Sequence, residues 1–147
     1  MKLLAIFVLL FVIIVSAEMI DYKFKSIENG TFEKIKWRKG DKIRIKLDEN
    51  PTTGYNWMIP EQMEGFNYIW VLDESTYTPS PSNGMVGVGG VRTFVLSVVK
   101  SGEEHLTFAY GKSWLYDQTI SEYYKSGKFN AAIMEGYAIQ LGIEASE

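Results

Sequence analysis

The side chains that most often perform covalent chemistry are scarce in this sequence. Its 147 residues include no cysteine and one histidine, His105, which excludes thiolate chemistry and any site with several histidine ligands. In a strand, Leu106 and Phe108 would share one apolar face and His105 would lie on the opposite face, which we expect to be solvated. The sequence also has no Gly-x-Ser-x-Gly motif and no lysine placed to complete a phosphate loop. We therefore expect no enzymatic activity, no catalytic residue, no metal and no cofactor.

Residues 50–55, Asn-Pro-Thr-Thr-Gly-Tyr, have the composition of a rigid binding loop. Pro51 fixes its own φ and restricts Asn50, and the two β-branched threonines are stiff at the first side-chain torsion. Gly54 can adopt a positive φ where the chain turns sharply. A rigid loop favours binding, since ordering a flexible one costs about 0.5–1.5 kcal/mol per immobilised side chain. Taken alone, the same composition is also typical of an ordinary turn.

Alternating apolar and polar residues indicate the strands that would hold this loop. Within residues 34–47, apolar side chains take every second position on both sides of a predicted turn at 38–41. Further strands are predicted at 54–59, 66–72, 91–99, 106–110 and 137–143, with a polar loop at 73–83. Short strands at this spacing favour a single antiparallel β-sandwich.

The segment between Tyr110 and Tyr137 is the main exception to this pattern. It has no clear periodicity and is long for a loop in a compact domain. We predict at most one helical turn there, at 121–128. The sequence assigns no role to residues 115–136.

Two further motifs follow the rigid loop along the chain. Residues 87–90, Gly-Val-Gly-Gly, lead into a predicted strand, and residues 112–114, Lys-Ser-Trp, follow another. With Trp57 two residues after the first motif, these segments resemble the chagasin family of cysteine-protease inhibitors in order and spacing. The similarity extends over residues 32–143, and all six residues of the first motif match the family pattern.

The resemblance implies an immunoglobulin-like sandwich whose loops form a wedge at one end. That wedge would fill the active-site cleft of a papain-like protease. The first loop would lie beside the catalytic cysteine and histidine of the protease, and the glycines of the second would bring free backbone groups close to it. The residues implied to contact the protease are Asn50, Pro51, Thr52, Thr53, Gly54, Gly87, Val88, Gly89, Gly90, Lys112, Ser113 and Trp114.

The third motif departs from the family pattern of an arginine, a proline and an aromatic residue. Lys112 stands where the family has a rigid, bidentate arginine, which predicts weaker binding or a different choice of protease. Trp114 is the expected anchor of the interface, with a place in the hydrophobic core as the alternative. We assign Trp57 to the core and Tyr55 to support of the first loop.

The predicted hairpin at 33–46 carries seven basic and two acidic residues. A face that binds a polyanion is one interpretation. The alternative is a solvated strand face, because the charges alternate with apolar residues and lysines on such a face discourage aggregation. We favour the solvated face and expect no nucleic-acid partner.

The N-terminus has the pattern of a secretory signal peptide. Thirteen consecutive apolar residues, 3–15, follow Lys2 and precede Ser16 and Ala17, which predicts cleavage before Glu18. The run is short for a membrane span, so residues 18–147 would form one exported inhibitor domain with no membrane contact. Such a protein would be secreted or delivered to the lumen of lysosome-type or phagosome-type vesicles. Asn29, in Asn-Gly-Thr, is then a candidate glycosylation site.

These observations predict a monomeric, non-enzymatic inhibitor of papain-like cysteine proteases that forms a reversible one-to-one complex. The alternative is an immunoglobulin-like adhesion or carbohydrate-binding module. Aromatic residues of the long segment, such as Tyr116, Tyr123 and Tyr124, support that alternative if they share one exposed face.

Overall fold

Two β-sheets packed face to face make up the body of the protein. The computed structural model describes residues 18–64 and 67–147, so the predicted signal peptide at 1–17 lies outside the described residues. The strands are β1 (Met19–Tyr22), β2 (Phe32–Arg38), β3 (Lys42–Glu49), β4 (Tyr55–Met58), β5 (Trp70–Pro79), β6 (Gly90–Val98), β7 (Gly102–Lys112) and β8 (Tyr137–Ser146). The first sheet has the order β1-β3-β6-β5 and the second the order β2-β8-β7-β4.

The core lies between the two sheets and follows the alternation predicted from the sequence. In β3 the inward side chains are Ile43, Ile45 and Leu47, all fully buried. β8 contributes three alternate aliphatic side chains from the other sheet, and Trp57 is buried in the same core. The alternate buried side chains of β3 and β8, one strand from each sheet, confirm the predicted β-sandwich, and the burial of Trp57 confirms its core position.

The predicted hairpin at 34–47 is wrong in its pairing, and so is the expectation of purely antiparallel sheets. β2 pairs in parallel with β8, and β3 pairs with β1 in parallel and with β6 antiparallel. The turn at 38–41 carries the chain from one sheet to the other. Lys39 N–H donates to Ser146 O (2.8 Å) in β8, and Gly40 N–H donates to Val98 O (2.8 Å) in β6. The alternation identified both strands correctly but contained no information on their partners.

The strand predicted at 66–72 begins later and is longer in the structure, where it is β5; residue 66 lies outside the described residues. It extends to Pro79, through most of the region expected to be a polar loop, and pairs with β6 along its length. The register shifts between Leu72 and Glu74, which marks a β-bulge. Beyond the bulge nearly every side chain is exposed, so the hydrophobic alternation that predicted the other strands is missing.

The long segment between β7 and β8 contains more helix than the sequence indicated. Helix α1 spans Tyr116–Ser126, and Gly127 ends it with φ +72° and an N–H that donates to Tyr123 O. Thr119 and Ile120 are its buried residues, so its apolar face is too narrow to give a clear helical period. Within the described residues, no helix is long and apolar enough to cross a membrane.

Basic residues of β2 and β3 are distributed over both sheets, and several of them lie close to carboxylates. Lys34 lies 3.5 Å from Glu144, and the guanidinium of Arg44 forms two hydrogen bonds with Asp21. Because the two strands belong to different sheets, their cations do not combine into one binding face. This arrangement favours the solvated-face interpretation over a polyanion site.

Candidate functional site

The first loop, residues 50–54, connects β3 of the first sheet to β4 of the second. Pro51–Thr53 form a single 3-10 turn, with Asn50 as its N-cap and Gly54 ending it at φ +83°. Thr53 Oγ1 donates to Asn50 O (2.6 Å), and Thr52 Oγ1 donates to Asn50 Oδ1 (2.6 Å). The loop is therefore held by its own hydrogen bonds, while the side chains of Thr52 and Thr53 are exposed.

The second loop, residues 80–89, connects β5 to β6 and packs on the first loop. Asn50 Nδ2 donates to Gly87 O (2.9 Å), which joins the two loops directly. A β-carbon on Gly89 would be 2.9 Å from Glu49 O, so this close approach requires glycine. Asn50 thus caps the first loop through Oδ1 and binds the second through Nδ2.

The glycines of the second loop are less available to a partner than predicted. Gly90 is buried as the first residue of β6, paired with Glu49 on one side and Pro79 on the other. The carbonyls of Gly87 and Gly89 already accept hydrogen bonds, from Asn50 and Ser80 respectively. The expectation of free backbone groups is therefore wrong for Gly90 and for these two carbonyls. Gly89 and Gly90 instead let the first loop, the second loop and β5 pack closely.

Two apolar residues that the sequence reasoning missed lie on the same loop. Val86 is 98% exposed and Met85 is 63% exposed, directly before Gly87. Large apolar side chains in water at the tip of a loop are suited to contact with a partner. The sequence feature that could have indicated them is an apolar pair inside an otherwise polar, glycine-rich segment.

The third loop, residues 112–115, starts at the last residue of β7 and packs on the first loop at Gly54. Ser113 N–H donates to Gly54 O (3.0 Å). A β-carbon on Gly54 would overlap the Trp114 ring, at 2.8 Å from Cη2, so the indole lies against the Gly54 backbone. Trp114 is nevertheless 63% exposed, which shows that the alternative of a core tryptophan is wrong.

Lys112 is held in place by two neighbours. Its ammonium group pairs with the Glu135 carboxylate and lies 5.6 Å from the centroid of the Trp114 ring. The hydrogen bond to Glu135 raises the pKa of Lys112, and burial opposes the rise. The flexible cation expected from the sequence is thus fixed beside the tryptophan by a residue of the long segment.

The long segment between β7 and β8 supports the third loop. A 3-10 turn, Ala131–Met134, places Met134 beneath Gly111, where a β-carbon would be 2.7 Å from Met134 Cγ. Tyr55 OH donates to Glu135 O (2.9 Å), and the Tyr55 ring lies 5.3 Å from that of Tyr110. Tyr55 therefore supports the first loop, as predicted, by joining it to this segment.

The tyrosines of the long segment do not make the flat, exposed face that a carbohydrate-binding module would present. Tyr116 and Tyr123 are half-buried and Tyr124 is exposed. The rings of Tyr123 and Tyr124 are tilted by 35°, and Tyr123 also packs edge-on against Phe129. This geometry does not support the alternative function.

Asn29 lies in the connection between β1 and β2 and is exposed. Its Oδ1 accepts a hydrogen bond from Ala138 N–H (3.3 Å), at the start of β8. The side-chain oxygen therefore faces the sheet.

Comparison with known proteins places the chain in a family. Residues 36–126 match the chagasin family of peptidase inhibitors, I42. The chain is 33% identical over 75 residues to amoebiasin-2 of Entamoeba histolytica, covering 50% of this chain and 58% of that protein. It is 30% identical over 76 residues to chagasin of Trypanosoma cruzi, covering 51% of this chain and 68% of chagasin. The match thus spans little more than half the length of amoebiasin-2.

Solved structures share the fold over most of the chain. The cysteine protease inhibitor EhICP2 from Entamoeba histolytica superposes with a TM-score of 0.55 and 22% identity, covering 88% of this chain and 97% of that one. PbICP-C, solved in complex with falcipain-2, superposes with a TM-score of 0.50 and 13% identity, covering 88% and 100%. At these identities the likeness shows the immunoglobulin-like sandwich. Because the family match covers more than half of the sequence, the chain belongs to the chagasin family of peptidase inhibitors.

Proposed function

We propose that this protein inhibits papain-like cysteine proteases reversibly, as a one-to-one complex of a monomeric inhibitor with the protease. Its three loops would enter the active-site cleft together and block it without covalent chemistry. The observation that carries this proposal is the convergence of the loops. Asn50 bonds to Gly87 at the start of the first loop, and Trp114 packs on Gly54 at its end. PbICP-C, which shares the fold, was solved bound to falcipain-2.

The first loop is suited to block a protease without becoming its substrate. Attack on a peptide bond requires the carbonyl carbon to be held in alignment with the nucleophile. The 3-10 turn at Pro51–Thr53 is closed by backbone hydrogen bonds, including Gly54 N–H to Pro51 O (2.9 Å). A bound loop of this kind fills the cleft with a turn instead of an extended strand. Its carbonyl carbons are therefore not held in the alignment that nucleophilic attack requires.

The flanking loops supply the apolar contacts of the proposed interface. Trp114, Met85 and Val86 are exposed around the rigid first loop. Burying a tryptophan removes about 150–250 Å² from water, a gross gain of about 4–6 kcal/mol at about 25 cal/mol per Å². Such a residue can dominate the affinity of an interface.

Titration of a papain-like protease with the purified protein tests the proposal. We expect activity to fall linearly to zero near equal molar amounts, and to return when the complex is diluted and separated. A serine protease assayed in parallel is the control and should keep its activity. Full activity of the cysteine protease in the presence of a large excess of folded protein would refute the proposal.

We also propose that residues 1–17 are removed on export and that residues 18–147 act in the secretory pathway, either outside the cell or in a lysosome-type or phagosome-type lumen. The support is the apolar run at 3–15 and the small residues before Glu18. Mass spectrometry of protein recovered from secreting cells should give an N-terminus at Glu18. Recovery of an uncleaved chain that starts at Met1 would contradict this.

A further inference from the structure

A buried carboxylate lies at the base of the first loop. Glu49 is the last residue of β3, directly before Asn50, and is 2% exposed. An ionised carboxylate without partners is strongly disfavoured in such a place. Its position therefore depends on the groups that surround it.

Three hydrogen bonds satisfy this carboxylate. Glu49 Oε2 accepts from Trp57 N–H (2.7 Å) in β4 and from Arg92 Nε (3.1 Å) in β6. Glu49 Oε1 accepts from Arg92 Nη2 (2.7 Å), which completes a two-point contact with the guanidinium. Arg92 in turn lies over the Tyr77 ring of β5, with its Cζ 5.8 Å from the ring centroid. One carboxylate thus joins β3, β4 and β6.

This connection holds the two ends of the first loop together. In a hairpin, ladder pairing of the two strands would do so, but β3 and β4 belong to different sheets. Glu49 instead binds the backbone of Trp57 across the gap between the sheets. Trp57 Nε1 also donates to Asp48 O (2.8 Å), so the tryptophan is attached to β3 twice.

We propose that Glu49 is a positioning residue that keeps the first loop in its uncleavable turn. The inference rests on the proposed inhibition of papain-like proteases. Without Glu49, the loop ends separate and residues 50–54 sample extended conformations that a protease can cut. In that event the protease's thiolate adds to a loop carbonyl, the peptide nitrogen leaves with a proton from the histidine, and water hydrolyses the thioester. Loss of Glu49 thereby turns an inhibitor into a slow substrate.

The variant Glu49→Gln tests this role, because it keeps the size of the side chain and removes its charge. We expect its inhibition constant to rise by about tenfold or more. We also expect two fragments, cut within residues 50–55, after incubation with an equimolar papain-like protease. Arg92→Lys keeps the positive charge without the two-point geometry and should show the same two changes to a smaller degree.

Two controls separate positioning from a general loss of stability. Asp21→Asn makes the same carboxylate-to-amide change at a two-point contact with Arg44, between side chains on the exposed faces of β1 and β3. Ile143→Val weakens the core near Glu104, toward the end of β7 opposite the third loop. Both proteins should inhibit like the wild type and remain uncut while folded. If Glu49→Gln and Arg92→Lys also inhibit like the wild type and remain intact, the inference is wrong.

Hydrogen exchange of the unbound protein tests the inference independently of inhibition. The amides of Thr53 and Gly54 donate within the turn, to Asn50 O (3.1 Å) and Pro51 O (2.9 Å). Their exchange should be faster by about tenfold or more in Glu49→Gln and Arg92→Lys, and unchanged in Asp21→Asn. Unchanged exchange in both loop variants would overturn the positioning role. A wild type that fails to inhibit would refute the proposed function alone.

Discussion

The indole ring of Trp114 occupies the space that a side chain at position 54 would need. A β-carbon on Gly54 would be 2.8 Å from Trp114 Cη2. The Ser113 N–H donates a hydrogen bond to Gly54 O, which joins the third loop to the first beside this contact. Gly54 also has a φ of +83°, which residues with a β-carbon rarely adopt. Glycine is therefore needed at position 54 for two reasons: the turn requires a positive φ, and the Trp114 ring leaves no room for a side chain.

Gly54→Ala should displace Trp114 and weaken inhibition by about tenfold or more, because the tryptophan can no longer lie on the first loop. The fold should survive, since the displaced ring is exposed and free to move into solvent. Left-handed backbone at an alanine costs roughly 1–2 kcal/mol, which thermal unfolding would report. Tryptophan fluorescence and an inhibition assay measure the local change.

Gly30→Ala is the matched control for that substitution. Gly30 has the same φ of +83°, but the described part of the chain has no atom within 4 Å of its β-carbon position. It should show a similar loss of stability and wild-type inhibition. Equal effects of the two substitutions on inhibition would show that the contact with Trp114 is unimportant.

Trp114→Ala should reduce affinity for a papain-like protease by about 2 kcal/mol or more, about thirtyfold in the inhibition constant, because it removes an exposed apolar anchor. Lys112→Ala should have a smaller effect, since Lys112 is already paired with Glu135. Calorimetric binding and thermal unfolding of both variants provide the comparison. If Trp114→Ala remains folded and inhibits like the wild type, Trp114 is not an anchor of the interface.

The pair between Lys112 and Glu135 should be visible in a pH titration. The hydrogen bond to Glu135 raises the pKa of Lys112 above its usual 10.5. Because this pKa is higher in the folded protein than in the unfolded one, the pair stabilises the fold below the unfolded pKa. That contribution is lost as the pH rises through the folded pKa.

NMR of the Lys112 side chain checks this expectation. In Glu135→Gln its pKa should fall toward the ordinary value, and in Glu122→Gln, where the altered residue pairs with Lys125 instead, it should be unchanged. A Lys112 titration that is identical in the wild type and in Glu135→Gln would contradict the pairing.

The sandwich was predictable because burial of one face of each strand leaves a period of two in the sequence. Ile43, Ile45 and Leu47 show this period plainly, and all three are buried. Strand partners were not predictable, because a parallel edge pairing such as β2 with β8 depends on residues far apart in the chain. The second half of β5 is exposed, so it has no hydrophobic period to detect.

The candidate site was predicted in outline and corrected in detail. A rigid first loop with a positive φ at Gly54 was predicted from its own residues, whereas the 3-10 turn that holds it was not. Lys112 is oriented by Glu135, and Glu49 is oriented by Arg92. Each partner lies in a distant segment of the chain, so no local sequence pattern indicates these pairs. The glycines of the second loop were identified, but close packing explains Gly90 better than contact with a partner.

The proposed inhibition requires the three loops to enter one protease cleft together. Hydrogen-exchange footprinting of the protein bound to a papain-like protease tests this most directly. It should show simultaneous protection of residues 50–54, 85–89 and 112–115, and that protection should vanish when the active site of the protease is blocked covalently beforehand. Protection confined to another surface, or unchanged by the blocked active site, would contradict it.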